Sequence, residues 1–268
     1  MKTMLHYLWG QIEGNFLWWL ITVAVVSPYV AYRFVKRILA DRQFHSLMRA
    51  FLGGEKEVPI VVADVHPASI LIDPTRIDGL EFKPPSHASF VGMQECIALA
   101  SLQKKLELVF PRKTFPFTKA TMFDPSDSAI FFSVGGFIAN QITRSVLKEK
   151  SAIDGITLDM EKVIIHDTIA SAAHCETEIP DSDNGFIVIT RNPFRAGGRC
   201  CLLFGCWAQG SRAAIDYLMK PVDPSSDGQQ FLGLGKRSNL FATVKTKLHG
   251  RGIIQTQPEL TYVRPAAN

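Results

Sequence analysis

Residues 128–148, SAIFFSVGGFIANQITRSVLK, restrict the fold of this chain more than any other stretch. An apolar run of strand length, residues 129–134, leads into Gly135 and Gly136. Ile138, Ile142, Val146 and Leu147 then recur at helical spacing, with Arg144 and Lys148 on the opposite side. The pattern is strand, glycine turn, helix. The first-turn amides of such a helix have no partner inside it and point at the tip of the turn. A negative group or a polar ligand is favoured there. The pattern expects a ligand site at this turn without identifying the ligand.

The same alternation extends along the chain. Residues 58–63 read as a short strand and residues 93–106 as a helix. Residues 106–110 read as a strand closed by Pro111, and residues 156–165 as one or two short strands. FIVIT at 186–190 and CCLLFG at 200–205 are buried strands, and residues 212–219 a helix with Ser211 as its cap. Residues 221–228 are a breaker-rich linker. Residues 240–248 and 253–263 alternate polar and apolar, as a hairpin around His249, Gly250, Arg251 and Gly252 would. Fully apolar strands among helices imply an α/β domain whose sheet is covered on both faces.

Residues 16–32 carry no charge, about the minimum for a helix that crosses a bilayer. Trp18 and Trp19 stand at one end, Tyr29 and Tyr32 at the other, and Arg33, Lys36, Arg37 and Arg42 follow. This asymmetry expects a membrane anchor over residues 1–36, a juxtamembrane helix and linker over 37–57, and a cytoplasmic domain over 58–268. The net charge of +4 arises mostly in this flank: residues 1–42 hold five basic and two acidic side chains, the rest 24 and 23. That balance argues against direct nucleic-acid binding, which needs a basic surface on the folded domain. The five cysteines have no disulfide framework spacing and read as reduced thiols.

Open α/β sheets bind ligands beyond the carboxyl ends of their strands. The expected binding residues are therefore Gly135, Gly136, Asn140, Asn192, Gly210 and Ser211, provided the strands that carry them run parallel. Asn140 either caps the helix or meets a ligand with donor and acceptor alike. Glu95, opening the helix after Gly92, is the best general-base candidate. Asp183 is a second carboxylate, able to accept from a ribose hydroxyl or simply to open a strand. No Gly-Lys-Ser/Thr phosphate loop is present. His66, His166 and His174 lack a carboxylate at diagnostic spacing, and no cysteine–histidine spacing matches a zinc site.

The order of these pieces resembles bacterial Rossmann-like sensor and effector domains of the SLOG and TIR-related kind. The likeness covers residues 58–263. It rests on Gly92 with Glu95, Gly135-Gly136 with Asn140, Asp183-Asn184-Gly185, Asn192-Pro193-Phe194 and Gly210-Ser211-Arg212-Ala213-Ala214. It implies a Rossmann-like, mostly parallel sheet with helices on both faces, here with a C-terminal antiparallel hairpin and one preceding transmembrane helix. It also implies binding, sensing or cleaving a nucleotide-derived ligand in signalling or defence. Three functions follow as expectations: a membrane-anchored sensor of a nucleotide-like or other anionic metabolite, a nucleotide hydrolase or glycosidase using Glu95 or Asp183, and a membrane scaffold that recruits a protein. The expected partners are a lipid bilayer through residues 16–35, the nucleotide-like ligand and a second copy of the chain. No cofactor is assigned.

Overall fold

The computed structural model describes residue 18 and residues 27–63, 93–137, 139–159, 164–169, 172–174, 182–205, 208–219, 225–249, 253–254 and 258–267. The loop of Asp64, Val65 and His66, together with Cys175 and Cys206, lies outside them, as does most of the expected membrane span. Helix α1, Ser27–Leu52, starts within that span. Tyr29, Val30, Tyr32, Val35 and Leu39 are exposed on its first half, whereas Phe44, Leu47, Met48, Phe51 and Leu52 on its second half are buried in the domain core. Among the described residues no helix is long and apolar enough to cross a membrane.

The main sheet runs β10–β9–β7–β8–β3–β1–β2, with β11 also on β9. Strands β1 (Ile60–Val62), β2 (Phe117–Lys119), β3 (Ile130–Val134) and β8 (Arg199–Gly205) are parallel. Strand β7 (Ser182–Arg191) runs antiparallel to β8, and β9 (Leu240–His249) antiparallel to β7. The expected mostly parallel sheet is thus a mixed one, with a parallel core and an antiparallel C-terminal part. The reason is chain length: only residues 192–198 join β7 to β8, and a parallel crossover needs about a dozen residues or more. The C-terminal hairpin forms as expected, with β10 (Ile253–Ile254) and β11 (Glu259–Arg264) both antiparallel to β9.

Alternation within the strands sends side chains to two cores, as period-2 geometry requires. Ile60, Phe132, Val134, Cys201, Leu203 and Ile187 face α1, α2 (Met93–Val109), α4 (Ala208–Met219) and α5 (Ser226–Lys236). Val61, Phe131, Cys200, Leu202, Phe186 and Phe241 face α3 (Gln141–Lys148) and the chain beyond it. Helices therefore cover both faces. The strand expected at 106–110 is instead the last turn of α2, because Ala98, Leu102 and Leu106 continue one buried helical stripe. A short apolar run alone does not distinguish the two states. Burial pushes the Cys200 and Cys201 thiols far up, so neither is a thiolate nucleophile at neutral pH.

A second sheet, β4 (Ile156–Asp159), β5 (Ile164–Asp167) and β6 (Ala172–His174), is antiparallel throughout. It is joined to the main sheet by a buried ion pair. Arg264 donates from Nε to Asp167 Oδ2 at 3.1 Å and from Nη2 to Asp167 Oδ1 at 3.3 Å, and lies 4.6 Å over the Phe241 ring.

Helix α5 was not foreseen, because Gly228, Gly233 and Gly235 lower helix propensity. It is held at both ends. Ser225 Oγ accepts from Gly228 N at the start. At the finish, Asn239 N donates to Leu234 O and Ser238 N to Gly235 O, the two bonds of a Schellman motif. Ser238 occupies its left-handed position, φ 52°, and its buried hydroxyl has no partner. Ser238→Gly removes both penalties, so it should raise stability by about 0.5–1 kcal/mol in urea denaturation.

Candidate functional site

From β1 the chain passes through α2 on one face and returns as β2 on one side. From the neighbouring β3 it passes into α3 on the other face and returns as β7 and β8 on the other side. Two adjacent strands whose connections diverge leave a crevice at their carboxyl ends. Gly135, the residue after β3, lies at that point with φ 110°, a conformation that glycine tolerates. A Cβ on Gly135 would lie 2.9 Å from Ala63 Cβ and 3.8 Å from Glu95 Oε1. A Cβ on Gly136 would lie 3.1 Å from the Gly205 carbonyl oxygen. The glycine turn is therefore enclosed by the end of β1, the first turn of α2 and the end of β8. Glu95 is only 8% exposed, and the amino end of α2 favours its negative charge.

Asn140 is fully buried and caps α3. Its Oδ1 accepts from Ile142 N at 3.0 Å and Thr143 N at 3.2 Å, and its Nδ2 donates to Val134 O at 2.9 Å. The side chain thus ties the first turn of α3 back to the end of β3.

The second strand–turn–helix is built by interlocking glycines. A Cβ on Gly205 would meet Ser211 N at 2.3 Å, one on Gly210 would meet Asn184 O at 2.2 Å, and one on Gly185 would meet Gly210 O at 2.3 Å. Backbone lies directly on backbone where α4 crosses β7 and β8. Asp183 Oδ2 accepts from Gly210 N at 2.5 Å, so a carboxylate from β7 serves the first turn of α4. Ser211, expected as the cap, instead lies inside the helix with its buried hydroxyl unpartnered. Gly210 and Ser211 share the carboxyl end of the parallel strands with Gly135 and Gly136, but they are packed between α4 and the sheet.

Asn192 does not join them. Because β7 is antiparallel to β8, its loop lies at the amino ends of β3 and β8. There Asn192 Nδ2 donates to Ser128 O at 3.0 Å and Pro125 O at 2.6 Å, while its Oδ1 accepts from Phe194 N at 3.0 Å. The carboxyl end of α1 lies at the same end of the sheet. Arg199 Nη1 there donates to Phe51 O at 3.4 Å, and a Cβ on Gly53 would lie 3.9 Å from Ile130 Cδ1. The glycine turn and the carboxyl end of α1 thus lie at opposite ends of the sheet.

A shallow groove of about 350 Å³ runs between α1 and the end of α2, lined by Ile38, Asp41, Arg42, His45 and Val109. Asp41 is already paired with Lys105 at 3.1 Å. Among the described residues no group of three or more His, Cys, Asp or Glu side chains is placed to hold a metal.

No protein-family model, curated protein or solved structure matches this chain. The sequence had already singled out Glu95, Gly135 and Gly136. It gave no reason to join them to Ala63 and Gly205, whose neighbourhood depends on strand order.

Proposed function

We propose that this chain is a ligand-sensing α/β domain held at a membrane, which binds a nucleotide-like metabolite at the carboxyl ends of β1 and β3 and serves in signalling. The observation that carries the reading is the approach of the buried Glu95 carboxylate to Gly135, where the connections from β1 and β3 diverge. Binding is favoured over hydrolysis because Asp183, the other carboxylate considered, is hydrogen-bonded to the start of α4. Acid–base hydrolysis of a glycosidic bond generally uses a pair of carboxylates facing the substrate. The tether is supported by the uncharged run at residues 16–32 and by the exposed apolar residues on the first half of α1.

The test is a thermal-shift panel of nucleosides and nucleotides on the full chain in detergent. A ligand present at about 100 times its Kd should raise Tm by roughly 5–10 °C. Glu95→Gln should retain the unliganded Tm within about 2 °C and lose that shift. A folded sample that responds to no member of the panel would remove the reading.

A further inference from the structure

We infer that the groove between α1 and the end of α2 rests on the headgroups of an anionic bilayer, with Arg42, Lys104 and Arg112 meeting lipid phosphate and Leu108 entering the interface. The inference rests on the membrane tether proposed above and names the face of the domain that the tether presents to lipid.

The first half of α1 exposes Tyr29, Val30, Tyr32, Val35, Ile38 and Leu39. At 100° per residue these side chains fall all round the helix and not on one stripe. A helix that is apolar on every side suits lipid, whereas a protein groove takes one apolar face. The same helix continues unbroken into the core, where Ala40, Phe44, Leu47 and Met48 are buried. It enters beside the end of α2, where Ile38, Asp41, Arg42 and His45 line the groove with Val109. His45 stacks on Phe110 with ring centroids 5.2 Å apart, and Asp41 pairs with Lys105 at 3.1 Å. These contacts fix the end of α2 beside the stem of α1.

Helix geometry then sets the height of the groove above the bilayer. With the Tyr32 ring at the interface, Ile38 stands about 9 Å and Arg42 about 15 Å further along the axis. A headgroup layer is about 5–8 Å deep on each side. Side chains on a helix tilt toward its amino end, which here is toward the lipid. The groove therefore hangs over the headgroups.

The charge matches that position. No acidic residue occurs between Glu13 and Asp41. Residues 33–45 hold four basic side chains and one acidic, residues 104–112 three and one. Arg42, Lys104 and Arg112 are exposed, as is Glu107, whereas Asp41 is already paired with Lys105. Leu108 is 79% exposed, next to Val109 in the groove wall and one turn after Lys104. An exposed apolar side chain flanked by cations fits an anionic interface, where lipid phosphate takes the charge and the acyl boundary takes the leucine.

The experiment is hydrogen exchange of the full chain reconstituted in vesicles of phosphatidylcholine, alone or with about 30% phosphatidylserine. Residues 38–45 and 105–112 are expected to exchange at least about fivefold more slowly on the anionic vesicles, the gain from roughly one cation at such a surface. Salt at about 0.5 M should remove the difference. The triple variant Arg42→Gln, Lys104→Gln, Arg112→Gln should stay in the vesicles and lose the difference as well. Equal exchange on the two vesicles, by a chain that has inserted, would overturn the inference and leave the tether intact. So would a triple variant slowed like the parent. Slowing that appears equally in detergent and grows with protein concentration would mark a second copy in the groove, and would also overturn the inference. A chain that separates from both vesicles would remove tether and inference together. Should the triple variant fail to fold, the lipid and salt comparison on the unaltered chain still decides.

Discussion

Gly205→Ala should lower stability by at least about 3 kcal/mol, a large share of the roughly 5–15 kcal/mol that holds a domain of this kind together. The new Cβ would fall 2.3 Å from Ser211 N and 2.5 Å from Gly210 Cα. Both obstacles are backbone, so no rotamer change relieves them. Strand β8 is hydrogen-bonded to β3 on one side and β7 on the other and cannot retreat. Helix α4 would have to lift. That would stretch the bond from Gly210 N to Asp183 and open the contact between Gly210 O and Gly185. Gly233→Ala is the control. Nothing lies within 4 Å of its Cβ and it sits inside α5, so it should gain about 0.5–1 kcal/mol. Urea denaturation of both variants gives the comparison. A Gly205→Ala protein within about 1 kcal/mol of the parent would mean that α4 does not lie against β8 as described.

Arg264→Met should lower stability by about 3–5 kcal/mol, because it removes the cation that pairs with the buried Asp167 carboxylate. Arg264 is 6% exposed and Asp167 1%. The guanidinium also donates to Asp154 O at 2.8 Å and Pro265 O at 2.7 Å. One side chain thus fastens the last strand of the main sheet to β5 and to the turn before β4. The double variant Arg264→Met with Asp167→Asn removes the buried charge whose guanidinium partner the single change takes away. It should recover about 1–3 kcal/mol of the loss. Denaturation of the single and double variants measures this directly. Equal stability for the two would show that the deficit comes from lost packing on Phe241 and lost carbonyl bonds, and not from the loss of the ion pair.

The local pieces were legible because each rests on neighbouring residues. Residues 128–148 read as strand, turn and helix, and fold as β3, the Gly135–Gly136 turn and α3. The hairpin of β9 with β10 and β11 was equally plain from its alternation. Strand direction was harder, since it depends on distant partners. Yet the short connection between β7 and β8 was a usable signal that these two strands are antiparallel, and it would have separated Asn192 from Gly135 at once. Asp183, Asn184 and Gly185 looked like a turn, but they extend β7 because α4 packs flush on Gly185. The burial of Ser211 and the helix at residues 226–236 also come from tertiary packing that local propensity does not report.

The approach of Glu95 to Gly135 was beyond the sequence, since it needs β1 and β3 side by side with α2 beginning above them. Hydrogen exchange on the full chain, with and without a saturating nucleoside from the panel, tests that placement most directly. The expected result is added protection at residues 134–137 and 95–99, with residues 192–198 unchanged. Protection centred on residues 192–198 or on the groove between α1 and α2, with none at the Gly135 turn, would contradict a ligand site at the carboxyl ends of β1 and β3.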